Sequence, residues 1–206
     1  CTLGAPWHSA GQDLRRYSSE EFVAGAAALE NRFRLTVGIK YTSVLGIFFM
    51  LREFELSLML ARSVTTDALR KKVTILLPAS KNDPEELSCS RSRGCVCQED
   101  PDPLTCPFHA AFEQKLLLVN TFGESKVKQA GFPFAPTRIG TTTSKEQVVE
   151  NIQMVVQARG LALKYHMGRN LYTGEVWRVG GSRHLIRRLV SVPVVQMMAR
   201  WTRTPS

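Results

Sequence analysis

The run Val44-Leu45-Gly46-Ile47-Phe48-Phe49-Met50-Leu51, ended at once by Arg52, constrains this chain more than any other stretch. Val37, Tyr41, Val44, Leu45, Phe48 and Phe49 recur at helical spacing, so a helix with a wide apolar stripe is expected over residues 35–60, with Gly46 as the point where it can break. A helix whose later part is apolar on nearly every side has to lie in the middle of a core. The run covers eight residues, against the roughly 20 that a membrane-crossing helix needs. No transmembrane segment and no membrane partner are therefore expected.

The other elements fall around that helix. Residues 1–18 read as a frayed lead-in, and Ser18-Ser19-Glu20-Glu21 as the start of a first helix, with a serine cap and acids in the first turn. Phe22, Ala26, Leu29 and Phe33 would share one of its faces. Lys72 to Pro78 has the β-branched richness of a strand, Ser80-Lys81-Asn82-Asp83-Pro84 is turn chemistry, and a return strand around 86–92 would complete a hairpin. Helices are expected at 107–120, 144–159 and 182–189, and a last one from Pro193 with Ser191 as its cap. The expected class is α+β, mainly α, with a small antiparallel hairpin or sheet. The expected organisation is a lead-in and helix over 1–34 and one domain over 35–206, with a Cys-rich insertion at 83–109.

Charge then points to a partner. From Arg159 to Ser206 the chain holds Arg159, Lys164, Arg169, Arg178, Arg183, Arg187, Arg188, Arg200 and Arg203 against one acid, Glu175, and this accounts for nearly all of the chain's net charge of +9. Clustered guanidinium groups release condensed counterions when they neutralise a nucleic-acid backbone, so an acidic polymer is the expected partner. Read singly, most of these cations would be solvated surface charges.

Four blocks occur in order: Leu51-Arg52-Glu53-Phe54-Glu55-Leu56, Ser80-Lys81-Asn82-Asp83, Gly174-Glu175-Val176-Trp177-Arg178 and Ala199-Arg200-Trp201. Together they resemble the catalytic domain of tyrosine recombinases, the phage-integrase family, over residues 35–206. The resemblance implies a domain that binds double-stranded DNA and acts in DNA recombination and integration, by strand cleavage and religation without a catalytic cofactor. It assigns Arg52 and Arg178 to the non-bridging phosphate oxygens, where planar bidentate guanidinium groups stabilise developing charge. Lys81 becomes the acid that protonates the leaving 5′ oxygen, Glu55 the carboxylate that steadies Arg52, and Trp201 a residue of the phosphate pocket. Glu175 stands where the family has histidine, and a carboxylate beside a phosphate adds repulsion. Arg169, Arg183, Arg187, Arg188 and Arg200 are the expected DNA-facing cations, His184 among them at most a phosphate contact. The family also implies a homo-oligomer on DNA and an intracellular setting, nuclear or nucleoid-associated.

The family's nucleophilic tyrosine lies beyond the position of Trp201, and Tyr17, Tyr41, Tyr165 and Tyr172 all precede it. The expectation is a chain without a phosphotyrosyl intermediate, either a fragment of an active enzyme or a decayed, catalytically inactive DNA-binding remnant of a mobile-element protein.

Cys95-Val96-Cys97 and Cys106-Pro107-Phe108-His109 offer three thiolates and an imidazole, the donor set of a closed structural zinc site. The second pair sits at a predicted helix start, where the positive end of the helix favours thiolate. Cys89 is left as a spare ligand or free thiol. The alternative outside the family is a small zinc-stabilised basic protein that binds RNA or another acidic partner.

Overall fold

The computed structural model describes residues 24–26, 28–29, 35–77, 89–98, 105–164, 168 and 170–200. Lys81 and its turn, Arg169, Trp201, the lead-in and most of the first predicted helix, Phe22 and Phe33 included, lie outside these residues. Ala26 and Leu29 are described and buried.

The fold is α+β, as expected, with helices around a three-stranded sheet. Helix α1, Ile39–Phe49, is the core helix, with Val44, Leu45, Ile47 and Phe49 buried. Two hydroxyls are buried with them and satisfied inside the helix, since Thr42 donates to Gly38 and Ile39 carbonyls and Ser43 to the Ile39 carbonyl at 2.6 Å. The single helix expected at 35–60 is in fact two. α1 stops at Phe49, Met50 takes a left-handed φ of 50°, and the chain restarts with Arg52 as N-cap of the short helix α2, Glu53–Ser57. Gly46 lies inside α1 with the Trp177 ring against it, and a Cβ there would stand 2.6 Å from that ring.

Strands β1 (Val64–Asp67), β2 (Lys72–Leu77) and β3 (Cys89–Gly94) pair antiparallel in that order. The return strand lies a few residues later than expected, with Leu77 opposite Cys89. β1 was not expected at all; it is four residues long, and its turn is marked by Asp67 accepting the Arg70 amide at 3.0 Å.

Helix α3, Pro107–Phe122, packs on α1, and a one-turn helix α4, Glu124–Val127, follows. α5, Lys145–Ala158, packs on α2 and opens with a reciprocal cap in which Ser144 Oγ accepts the Gln147 amide and Gln147 Oε1 accepts the Ser144 amide. Val148, Ile152, Val155 and Val156 give it a buried face. Two helices end the described chain, α6 (Val176–Arg187) and α7 (Val192–Ala199).

α6 begins six residues before the helix predicted from Ser182. Gly180-Gly181 argues locally against a helix, but Gly181 is where α6 crosses α1: a Cβ there would meet the Ile47 carbonyl oxygen at 2.2 Å and Met50 Cγ at 2.7 Å. Gly181→Ala is expected to lower stability by about 1–3 kcal/mol, the usual range for overpacking. A Cβ added at Gly180 would have nothing within 4 Å of it, so Gly180→Ala should be neutral or stabilising by about 0.4–1 kcal/mol. Thermal unfolding of the two variants checks both signs.

Candidate functional site

β3 reads Cys-Ser-Arg-Ser-Arg-Gly, with Arg91 opposite Ile75 and Arg93 opposite Val73. Directly opposed residues share a sheet face, and Val73 and Ile75 are fully buried. Both arginines are thereby carried to the core side of the sheet, where they meet helix ends. Arg93 Nε donates to the Phe48 carbonyl at the end of α1 at 3.2 Å. Arg91 donates to the Met197 and Met198 carbonyls at the end of α7. The serines face the other way, and Ser92 and Thr74 hydroxyls share a 2.7 Å hydrogen bond. Burial, and secondarily the charge of Arg91, draws the Arg93 guanidinium below its ordinary value.

The last turn of α7 also meets a third arginine. Arg178, 2% exposed on α6, donates through Nη2 to the Ala199 carbonyl. Arg91 and Arg178 thus satisfy three successive carbonyls at the negative end of α7. Arg178 Nη1 lies 3.3 Å from Glu175 Oε2, and the other oxygen of that carboxylate lies 3.2 Å from Arg52 Nε. Arg200, the C-cap of α7, binds both oxygens of Glu55, and Glu55 Oε2 also accepts the Arg52 amide at 2.8 Å.

Arg52, Arg178 and Arg200 therefore converge with Glu55 and Glu175 from stretches far apart in sequence. Glu55 meets Arg52 at its backbone amide, and the guanidinium it holds is that of Arg200. Glu175 bridges Arg52 and Arg178. Burial pulls the Arg178 guanidinium below its ordinary value; Glu175 opposes this, and the charges of Arg52 and Arg200 add to it. Three guanidinium groups thus gather around the Glu55 and Glu175 carboxylates, and a third carboxylate, that of Glu53, lies against Gly174 next to Glu175. Arg178 Nε, buried, has no hydrogen-bond partner among the described residues.

Of the other sequence-expected cations, Arg183, Arg187 and Arg188 follow along α6 and just past it; Arg187 and Arg188 are exposed and Arg183 is half-buried. His184 stacks edge-on against Phe48, ring centroids 5.2 Å apart. Arg91 and Arg93 were not singled out by sequence reasoning. The available signal was their period-two alternation beside a strand with a buried face.

A second cluster lies at the other end of β3. Cys95, Cys97, Cys106 and His109 place their donor atoms within 4.8 Å of one another, while Cys89 is exposed and apart. A tetrahedral zinc with Zn–S of about 2.3 Å implies S···S edges of about 3.8 Å. Cys95 and Cys106 sulfurs stand 3.7 Å apart, Cys97 Sγ is 3.2 Å from His109 Nδ1, and Cys95 Sγ is 3.9 Å from the same nitrogen. The four residues fit a metal ion. Desolvation and the neighbouring thiols push Cys97 up to about 12, while a backbone hydrogen bond to Cys97 draws Cys95 down. Three crowded sulfurs cannot all ionise unless a cation stands between them.

No family model matches the sequence, and no curated protein matches it. Solved structures do. The fold is similar to the XerH site-specific recombinase bound to difH substrate in a pre-cleavage complex, with a TM-score of 0.58 and 12% identity over 89% of this chain and 46% of that one. It is equally similar to the same recombinase bound to a palindromic difH substrate in a post-cleavage complex, with a TM-score of 0.58 and 12% identity over 89% of this chain and 44% of that one. The chain spans less than half the length of these recombinases, and the likeness is one of fold.

Proposed function

We propose that this chain binds duplex DNA through its phosphates, as a recombinase-like DNA-binding domain. The observation that carries the proposal is the convergence of Arg52, Arg178 and Arg200 in one cluster, on a fold similar to recombinases bound to their substrates. In this reading Arg52 and Arg178 hold the non-bridging oxygens of one phosphate, and Arg183, Arg187 and Arg188 extend the contact along the backbone. Arg169 would be a further DNA-contacting cation in this reading. Strand cleavage and religation would need a tyrosine nucleophile that none of Tyr17, Tyr41, Tyr165 and Tyr172 supplies. Attack by such a tyrosine on the phosphorus would release the 5′ oxygen, to which Lys81 would give a proton while Trp201 contacts the phosphate, with the chain acting as a homo-oligomer on nuclear or nucleoid DNA in recombination and integration.

A second reading, a DNA-binding domain without cleavage activity, is favoured by Glu175. Its carboxylate already bridges the two arginines, so an incoming phosphate has to displace it. The Cys95, Cys97, Cys106 and His109 cluster is proposed to hold a structural zinc, because four protein ligands leave no open position for catalysis.

The test is fluorescence anisotropy of a labelled duplex against salt concentration. The logarithm of the binding constant should fall linearly with the logarithm of salt, by about 0.9 per phosphate contacted. Arg52→Ala should weaken binding and make that slope shallower by about one contact. Binding insensitive to salt, or a preference for single-stranded RNA over the duplex, would remove the proposal.

A further inference from the structure

The metal cluster and the arginine pocket are joined by a single strand. Cys95 follows β3 directly and extends its pairing, its amide donating to the Lys71 carbonyl at 2.8 Å. Cys97 lies two residues on, while Cys106 and His109 belong to the start of α3, with Cys106 as its N-cap. A metal held by all four would pin the end of β3 to α3. From the pinned end, Gly94 separates Cys95 from Arg93, and Arg91 is two residues further back. Those arginines hold the last carbonyls of α1 and α7.

The last turn of α7 is shared ground. Arg91 caps its Met197 and Met198 carbonyls, Arg178 caps Ala199, and Arg200 leaves it to reach Glu55. β3 is held by polar contacts: its antiparallel pairing to β2, the Ser92–Thr74 hydroxyl bond and the reach of its arginines. It carries no large apolar side chain, among the described residues it pairs with β2 alone, and its residues are exposed or half-buried. α7 has eight residues, too few to be stable alone in water.

We propose that zinc in the Cys95, Cys97, Cys106 and His109 cluster is the tether that holds β3 in place, and that through Arg91 it keeps the end of α7 where Arg178, Arg200 and Glu55 form the phosphate pocket. Metal occupancy therefore controls phosphate affinity at a site that no metal ligand touches. The affinity part of this inference rests on the DNA-binding reading; the tether itself does not.

The experiment uses the full chain in four forms: wild type and Arg91→Ala, each zinc-loaded and each after chelation. Elemental analysis should find one zinc per chain in both loaded proteins. Chelation of the wild type should weaken duplex binding by tenfold or more, and Arg91→Ala should weaken it comparably while retaining its zinc. Chelating the Arg91→Ala protein should then add little, because both changes cut the same connection. Amide hydrogen exchange over residues 192–200 should quicken in the chelated wild type and in loaded Arg91→Ala alike.

Fully additive effects, or unchanged exchange in α7 on loss of zinc, would overturn the tether. Absence of bound zinc would overturn the metal site itself. If the chelated protein unfolds as a whole, the loaded Arg91→Ala protein decides: wild-type exchange in α7 and wild-type DNA affinity there refute the proposal. If the loaded wild type fails to bind duplex DNA, the functional reading falls, and the exchange data still judge the tether.

Discussion

Arg178→Ala should lose about 3 kcal/mol of stability and bind duplex DNA ten- to a hundredfold more weakly than the parent. The stability loss has two sources. Arg178 is buried and caps the Ala199 carbonyl, so its removal leaves that acceptor without its donor, at a cost of about 1–3 kcal/mol. It also breaks an ion pair, which costs about 3–5 kcal/mol when both partners are buried. Here Glu175 is 49% exposed, so water takes over most of that interaction and the pair adds only about 0–1 kcal/mol, which leaves the total at about 3 kcal/mol. The affinity loss follows from removing a charge-assisted contact worth about 1.5–3 kcal/mol. Arg178→Lys separates the two roles. It keeps the charge and should retain the salt slope, but it lacks the planar fork that reaches Glu175 and Ala199 together. Denaturant titration and anisotropy measure the two losses, and a variant that kept both stability and affinity would show that Arg178 is only filling space.

Glu55→Ala should be as damaging to stability, at about 3–5 kcal/mol, with a different signature in binding. Glu55 is 1% exposed and accepts both Arg200 nitrogens and the Arg52 amide. Without it, a largely buried guanidinium loses its counterion and α2 loses the acceptor at its first turn. The pocket becomes more cationic, so the salt slope of DNA binding should not become shallower even as the protein weakens. Glu55→Gln keeps the shape and one acceptor; the stability it recovers over alanine measures hydrogen bonding, and its remaining shortfall measures charge. Equal stability of the parent and the glutamine variant would mean that the Arg200 ion pair contributes nothing.

What sequence reasoning reached and what it missed divides along locality. The apolar stripe of α1, the Ser144 cap of α5 and the Pro at the start of α7 are signals contained within a turn or two, and each element appears close to its expected place. The zinc-type cluster was legible because its ligands lie within fifteen residues of one another. The break at Met50 and the early start of α6 were not; α6 lies across α1 at Gly46 and Gly181, a contact between stretches far apart in sequence that no local pattern carries. The partnership of Arg200 with Glu55 joins residues 145 positions apart, and no local pattern announces it. Arg91 and Arg93 were passed over because a strand of serine and arginine has weak strand propensity by composition; only its register against Val73 and Ile75 reveals where its side chains go.

That register has a consequence for how the strand is counted into place. In most half-buried strands the apolar side chains penalise a slip, because a shift by one residue turns them to water. β3 has none of that insurance. A slip of one would turn both arginines to the outer face and bring serines under the helix ends. A slip of two would restore the faces but carry Cys95 about 6.6 Å along the sheet, away from Cys106 and His109. Each alternative is rejected by a different polar group, so the alignment of this edge is set by what its arginines and cysteines must reach, with hydrophobic burial having almost no say in it.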